Sequence, residues 1–159
     1  MGFRWLPPLA LAVLLLPPAL AFAAGPFEGL AGAWSGEGAV KLTNGANERL
    51  RCQANYRVTD EGEGLKQELR CKSDNYSATL EIDLTDKAGA VLGNWTETEH
   101  NLEGGVSGQA SKGKIEAKVR GQAFNAAISV TTRGSQQAVV IRAENAGFSE
   151  VSITLSRGR

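Results

Sequence analysis

The stretch ERLRCQANYRVTDEGEGLKQELRCK, Glu48 to Lys72, decides the fold. Alternate residues Leu50, Cys52, Ala54, Tyr56 and Val58 share one face, and Arg49, Arg51, Gln53, Asn55 and Arg57 the other. The pattern breaks at Thr59 to Gly64 and resumes with Leu65, Gln67, Leu69 and Cys71 opposed to Lys66, Glu68, Arg70 and Lys72. A period of two is the mark of a half-buried antiparallel strand. Folding at the acidic, Gly-rich loop sets Val58 opposite Leu65, and the same register sets Cys52 opposite Cys71. Directly opposed residues lie roughly 4.5–5.5 Å apart at Cα, the span that a disulfide needs. Hydrophobic pattern, turn position and cysteine spacing therefore agree on one stapled hairpin.

The same alternation extends in both directions. Upstream, Trp34, Gly36, Gly38, Val40 and Leu42 face inward on a first strand. A loop from Thr43 to Asn47 pairs Val40 with Leu50 and Trp34 with Tyr56. The tight turn suggested by Asn44-Gly45 would instead put the faces out of step. Downstream, a turn at Lys72 to Asn75 carries the inward set to Tyr76, Ala78, Leu80, Ile82 and Leu84. A turn at Asp86 to Gly89 then sets Leu84 opposite Val91 and Leu80 opposite Trp95. His100 to Gly105 reads as a loop, followed by a weak strand with Val106, Gly108 and Ala110 inward. Ile115, Ala117 and Val119 come next, then Phe124 to Val130, Val139 to Ala143, and Val151 to Leu155. No segment has a convincing helical period, Gln122 to Ala127 being the nearest to one.

The expected fold is all-β: an antiparallel up-and-down meander of about eight to ten strands closed into a barrel. Two stacked sheets and an outer-membrane barrel are the other ways to deal with the sheet edges. The membrane form would turn the cysteine pair and Gln67 toward lipid and leave few aromatics for two girdles.

The chain begins with Arg4, an apolar run from Leu6 to Leu20 and the small-x-small triplet Ala21-Phe22-Ala23. This is the pattern of a cleaved signal peptide. Pro7, Pro8, Pro17 and Pro18 make the run a poor membrane span. The expected organisation is a signal peptide over residues 1–23, an N-terminal arm over 24–32 and one barrel domain over 33–159. Localisation is then periplasmic or secreted, where two cysteines form a structural disulfide rather than a metal or redox pair. Lys and Arg total 17 and so do Asp and Glu, so no basic field calls for nucleic acid.

Phe27, Leu30 and the triplet Gly32-Ala33-Trp34 open the first strand in a way that resembles the calycin barrels, the lipocalins and their bacterial relatives. In lipocalins an arginine after the last strand covers the tryptophan of a Gly-x-Trp at the closed end. Arg157 stands at the matching place, so the resemblance implies a structural plug of Arg157 over Trp34, a cation–π contact of about 0.5–2 kcal/mol. The middle lipocalin motif is not visible. Haem-binding relatives place a histidine inside the barrel, whereas the single histidine, His100, falls in a predicted loop.

Many inward residues are small, including Gly36, Gly38, Ala54, Ala78, Gly93, Gly108 and Ala117. They could leave a pocket lined by Tyr56, Gln67, Leu69, Tyr76, Leu80, Trp95 and Phe124, with Glu97 as a second polar contact. They could equally let the barrel flatten and close on itself. Glu97, Glu99, His100 and Glu103 match no zinc spacing, and the acidic residues read as a solvated strand end. No nucleophile accompanies the histidine and no phosphate cradle is present, so neither an enzyme nor a cofactor is expected. The leading expectation is an exported, lipocalin-like barrel that binds a small, mainly apolar ligand. The alternative is a barrel acting through its surface, such as an exported-protease inhibitor using the arm or the loops on a protein partner.

Overall fold

The computed structural model describes residues 1–2 and 24–158. The predicted leader beyond its first two residues, with its cleavage site, lies outside the described residues. Ten antiparallel strands follow one another around a closed barrel. They are β1 (Gly32–Leu42), β2 (Asn47–Thr59), β3 (Gly64–Lys72), β4 (Ser77–Lys87) and β5 (Ala90–Glu97), then β6 (Leu102–Ser111), β7 (Lys114–Gly121), β8 (Asn125–Arg133), β9 (Gln136–Glu144) and β10 (Phe148–Arg157). Each strand pairs with its neighbour in sequence, and β10 pairs with β1 from Trp34↔Arg157 to Leu42↔Phe148. Full closure leaves no edge open for another chain.

Alternation supplies the core, which gathers Trp34, Leu50, Tyr56, Leu69, Trp95, Ile153 and Leu155 on the inner side. The outer wall of β7 presents Lys114, Glu116, Lys118 and Arg120, all exposed. Cys52 and Cys71 are opposed in the β2–β3 ladder and bonded, with Cα atoms 4.2 Å apart. The region Gln122 to Ala127 is a turn leading into β8, without a helix.

Two registers differ from the sequence expectation, both by two residues. In β1–β2, Trp34 lies opposite Ala54 and Val40 opposite Glu48, because the connection closes on itself with Leu42 N–H donating to Ala46 O at 2.8 Å. In β4–β5, Leu84 lies opposite Gly93 and Ile82 opposite Trp95. The turn there is the pair Ala88-Gly89 alone, with φ of 54° and 89°. Two successive positive φ values suit a two-residue hairpin, whose twist matches that of its strands. A shift of two keeps every side chain on its face, so matching faces determines register only to within an even step. The shorter turn also lengthens β4 and carries Asp86 inside.

Two further boundaries move. β6 begins at Leu102 rather than after Gly105, and β4 begins at Ser77, which leaves Tyr76 in the turn before it.

The inward glycines have a steric reason. A Cβ at Gly36 would collide with the Thr154 carbonyl of the adjoining strand. One at Gly104 would strike both the Arg120 carbonyl and the Trp95 indole. Glycine in a strand interior marks such tight barrel bends. These two glycines serve curvature and the seating of Trp95, not empty space.

Candidate functional site

The two ends of the barrel are built differently. At one end the chain from Gly25 to Leu30 lies across the opening. Gly25 N–H donates to Glu61 O at 2.9 Å and Phe27 N–H to Gly62 O at 3.1 Å. Asp60 and Glu61 adopt φ of 51° and 55°, and Gly62 follows at 95°. This left-handed turn aims its carbonyls at the arm. Phe27 and Leu30 are buried as a result. Trp34 Nε1–H donates to Leu30 O at 2.9 Å, and the Arg157 guanidinium carbon lies 4.7 Å from the Trp34 ring centroid. Arg157 also donates to the Gly29 carbonyl. The arm thus plugs the end with its apolar side chains, and those side chains are not free for recognition.

Above this plug a polar chain crosses the interior. Gln67 Nε2 donates to the Tyr56 hydroxyl at 3.0 Å, which donates to Gln137 Oε1 at 2.5 Å. Gln137 Nε2 then reaches Thr132 Oγ1 at 3.0 Å. Burial pushes the Tyr56 hydroxyl far up, against a smaller opposing effect of its bond to Gln137. It stays a neutral donor. A buried network with each member paired adds rigidity where an unpaired group would cost stability.

The opposite end, with no such arm across it among the described residues, is the open end. Inward residues Ile128, Ile141, Val151 and Val40 form one continuous row across β8, β9, β10 and β1. All four are only half-buried, although they pack against the core. Leu80, Ile82, Leu102 and Phe124 share that state. Aliphatic side chains enclosed by strands yet still in reach of solvent mean that this half is not filled to core density. One wall is aromatic. Trp95 lies over Gly104 and Gly121 and meets Phe124 at 5.5 Å, which meets Phe148 edge-on at 5.8 Å.

Carboxylates stand at the open half. Glu97 is buried among Leu80 and Leu102 and is surrounded by donors. It accepts from the backbone N–H of Thr79 (3.0 Å), Glu99 (3.1 Å) and His100 (2.7 Å), and from His100 Nδ1 at 2.8 Å. Burial alone would raise its pKa, but these bonds together outweigh it and hold the carboxyl below its usual range. Glu97 therefore caps the turn Thr98 to Asn101 and shortens the predicted loop. Glu48, half-buried, accepts from Ser73 Oγ at 2.5 Å and Asn75 Nδ2 at 3.3 Å. No group of three or more potential metal ligands occurs among the described residues.

The expected pocket lining thus divides. Tyr56, Leu69 and Trp95 are packed in the core, while Gln67, Leu80 and Phe124 border the accessible half. Tyr76 is not on the inner wall. It is 52 % exposed in the turn before β4 and stacks on His100, with ring centroids 5.1 Å apart. Inward polar residues that escaped the sequence reading include Glu48, Asp86 and Gln137. Each continues the alternation of its strand by one step, beyond Leu50, Leu84 and Val139. Following that period into polar residues would have found them.

No protein-family model matches the chain, and no curated protein matches it by sequence. Solved structures do share its fold. Rv2717c from M. tuberculosis superposes with a TM-score of 0.64 at 12% identity, over 83% of this chain and 94% of its own. The S-type phycobiliprotein lyase CPES from Guillardia theta gives 0.55 at 12% identity, over 84% and 90%. At that identity the likeness concerns architecture alone.

Proposed function

We propose that this protein is an exported, lipocalin-like barrel that holds a small, mainly apolar ligand in its open half and acts by binding rather than by chemistry. The observation that carries the reading is the half-buried row Ile128–Ile141–Val151–Val40 beneath an aromatic wall, opposite a plugged end. Burying such a surface under a ligand is favourable by about 25 cal/mol per Å² of apolar area. Apolar walls with a few polar groups are what small-molecule sites consist of. The barrel likeness to a phycobiliprotein lyase supports a role in handling a small molecule. The disulfide and the signal-like start support a periplasmic or secreted location. Among the described residues no helix is long and apolar enough to cross a membrane.

The test is titration of the purified protein with the neutral fluorescent probe N-phenyl-1-naphthylamine, alongside native mass spectrometry of protein taken from its own source. Saturable probe fluorescence that Ile141→Trp abolishes is the expected result. The absence of both probe binding and any co-purifying mass would refute the reading.

A further inference from the structure

We propose that the open half selects an uncharged or cationic apolar ligand and rejects an anionic one, an inference that rests on the ligand-binding reading above. Inward carboxylates on two rows stand at the rim of the opening. From Val40 the ladder continues to Glu48 on β2. Glu97 stands between Leu80 and Leu102 in another inward row. Among the described residues the inward positions of the ten strands hold a single cation, Arg157, and it belongs to the plug, engaged with Trp34 and Gly29.

Both carboxylates are held by dipoles and not by counter-ions. Backbone N–H groups and one imidazole serve Glu97, while a hydroxyl and an amide serve Glu48. Their charge is therefore not cancelled inside the barrel, where low permittivity lets it act over a longer range than in water. A ligand carboxylate drawn into the open half would lose its hydration and meet two like charges with no free guanidinium or ammonium to pair with. A hydroxyl or an amine meets acceptors instead.

Matched ligands of one chain length test this directly. Dodecanol, dodecylamine and dodecanoate each compete for bound N-phenyl-1-naphthylamine, at neutral pH and below their aggregation concentrations. The expected result is displacement by the alcohol and the amine, with dodecanoate at least about tenfold weaker. Glu48→Gln, which keeps an acceptor for Ser73 and Asn75, should strengthen dodecanoate severalfold and move dodecanol far less. Dodecanoate binding as tightly as dodecanol, or an acid-to-alcohol ratio that Glu48→Gln does not move, would overturn the charge selection while leaving the binding barrel standing. Failure of every competitor and of the probe itself would instead remove the binding reading.

Discussion

The plugged end and the open end are made by the same alternation of the same ten strands, yet they have different tasks. At the plugged end Phe27, Leu65 and Leu155 are almost wholly removed from water, and the arm adds a layer that the strands alone do not supply. At the open end, aliphatic residues at the same inward parity keep contact with solvent, and polar turns close around carboxylates. The difference teaches that inward position does not by itself make a core. What makes it one is a covering element, and among the described residues only one end has it.

A matched pair of truncations is the sharpest way to break this comparison. Leu155→Ala at the plugged end should cost about 3–5 kcal/mol, since the cavity left there cannot collapse or hydrate easily. Ile141→Ala in the open half should cost only about 1–2 kcal/mol, because less surface is being returned to water. Urea unfolding of both variants decides it, and equal losses would mean that the two halves are packed alike. Reducing the Cys52–Cys71 bond acts on the hairpin common to both ends. With a sequence separation of 19 it should lower stability by about 3 kcal/mol, seen as a lower urea midpoint in reductant.

Glu97→Gln probes the open rim alone. It weakens a carboxylate that four donors surround, for a loss of about 1–3 kcal/mol at neutral pH. The pH dependence has a definite sign. A carboxyl held below its unfolded pKa stabilises the fold above that unfolded value, near 4.3, and the contribution is lost as pH falls through the lower folded value. The gap between the parent protein and Glu97→Gln in thermal melting should therefore narrow as the buffer is taken from neutral into that acid range. The smallest expected effect is that of Arg157→Met, which removes the cation over Trp34 but keeps an apolar stem there. A loss of about 0.5–2 kcal/mol is expected, with earlier proteolysis of the arm.

The barrel was legible in the sequence because burial on one side forces a period of two, and Cys52 opposite Cys71 anchors one register independently. Where no such anchor exists the pattern is degenerate. The β1–β2 and β4–β5 ladders both slip by two residues without moving any side chain to the other face, and only the turn geometry at Ala46 and at Ala88-Gly89 separates the choices. The site was less legible for a related reason. Asp86, Glu48 and Gln137 keep the inward parity, but their polarity resembles a turn or a solvated strand end. Tyr76 shows the converse, an apolar-looking residue at the right parity that lies past the end of its strand. The glycines misled as well, since absence of a side chain can make room for a neighbouring strand as readily as for a ligand.

The closing ladder between β1 and β10 has a mechanical consequence. Those strands run antiparallel as neighbours, and Gly32 and Arg157 stand at the same end of the seam. Tension applied between the two chain ends therefore loads the backbone bonds one after another, like a zipper, instead of shearing the whole ladder at once. The protein should yield to stretching at low force, and the seam from Trp34 to Leu42 should open first.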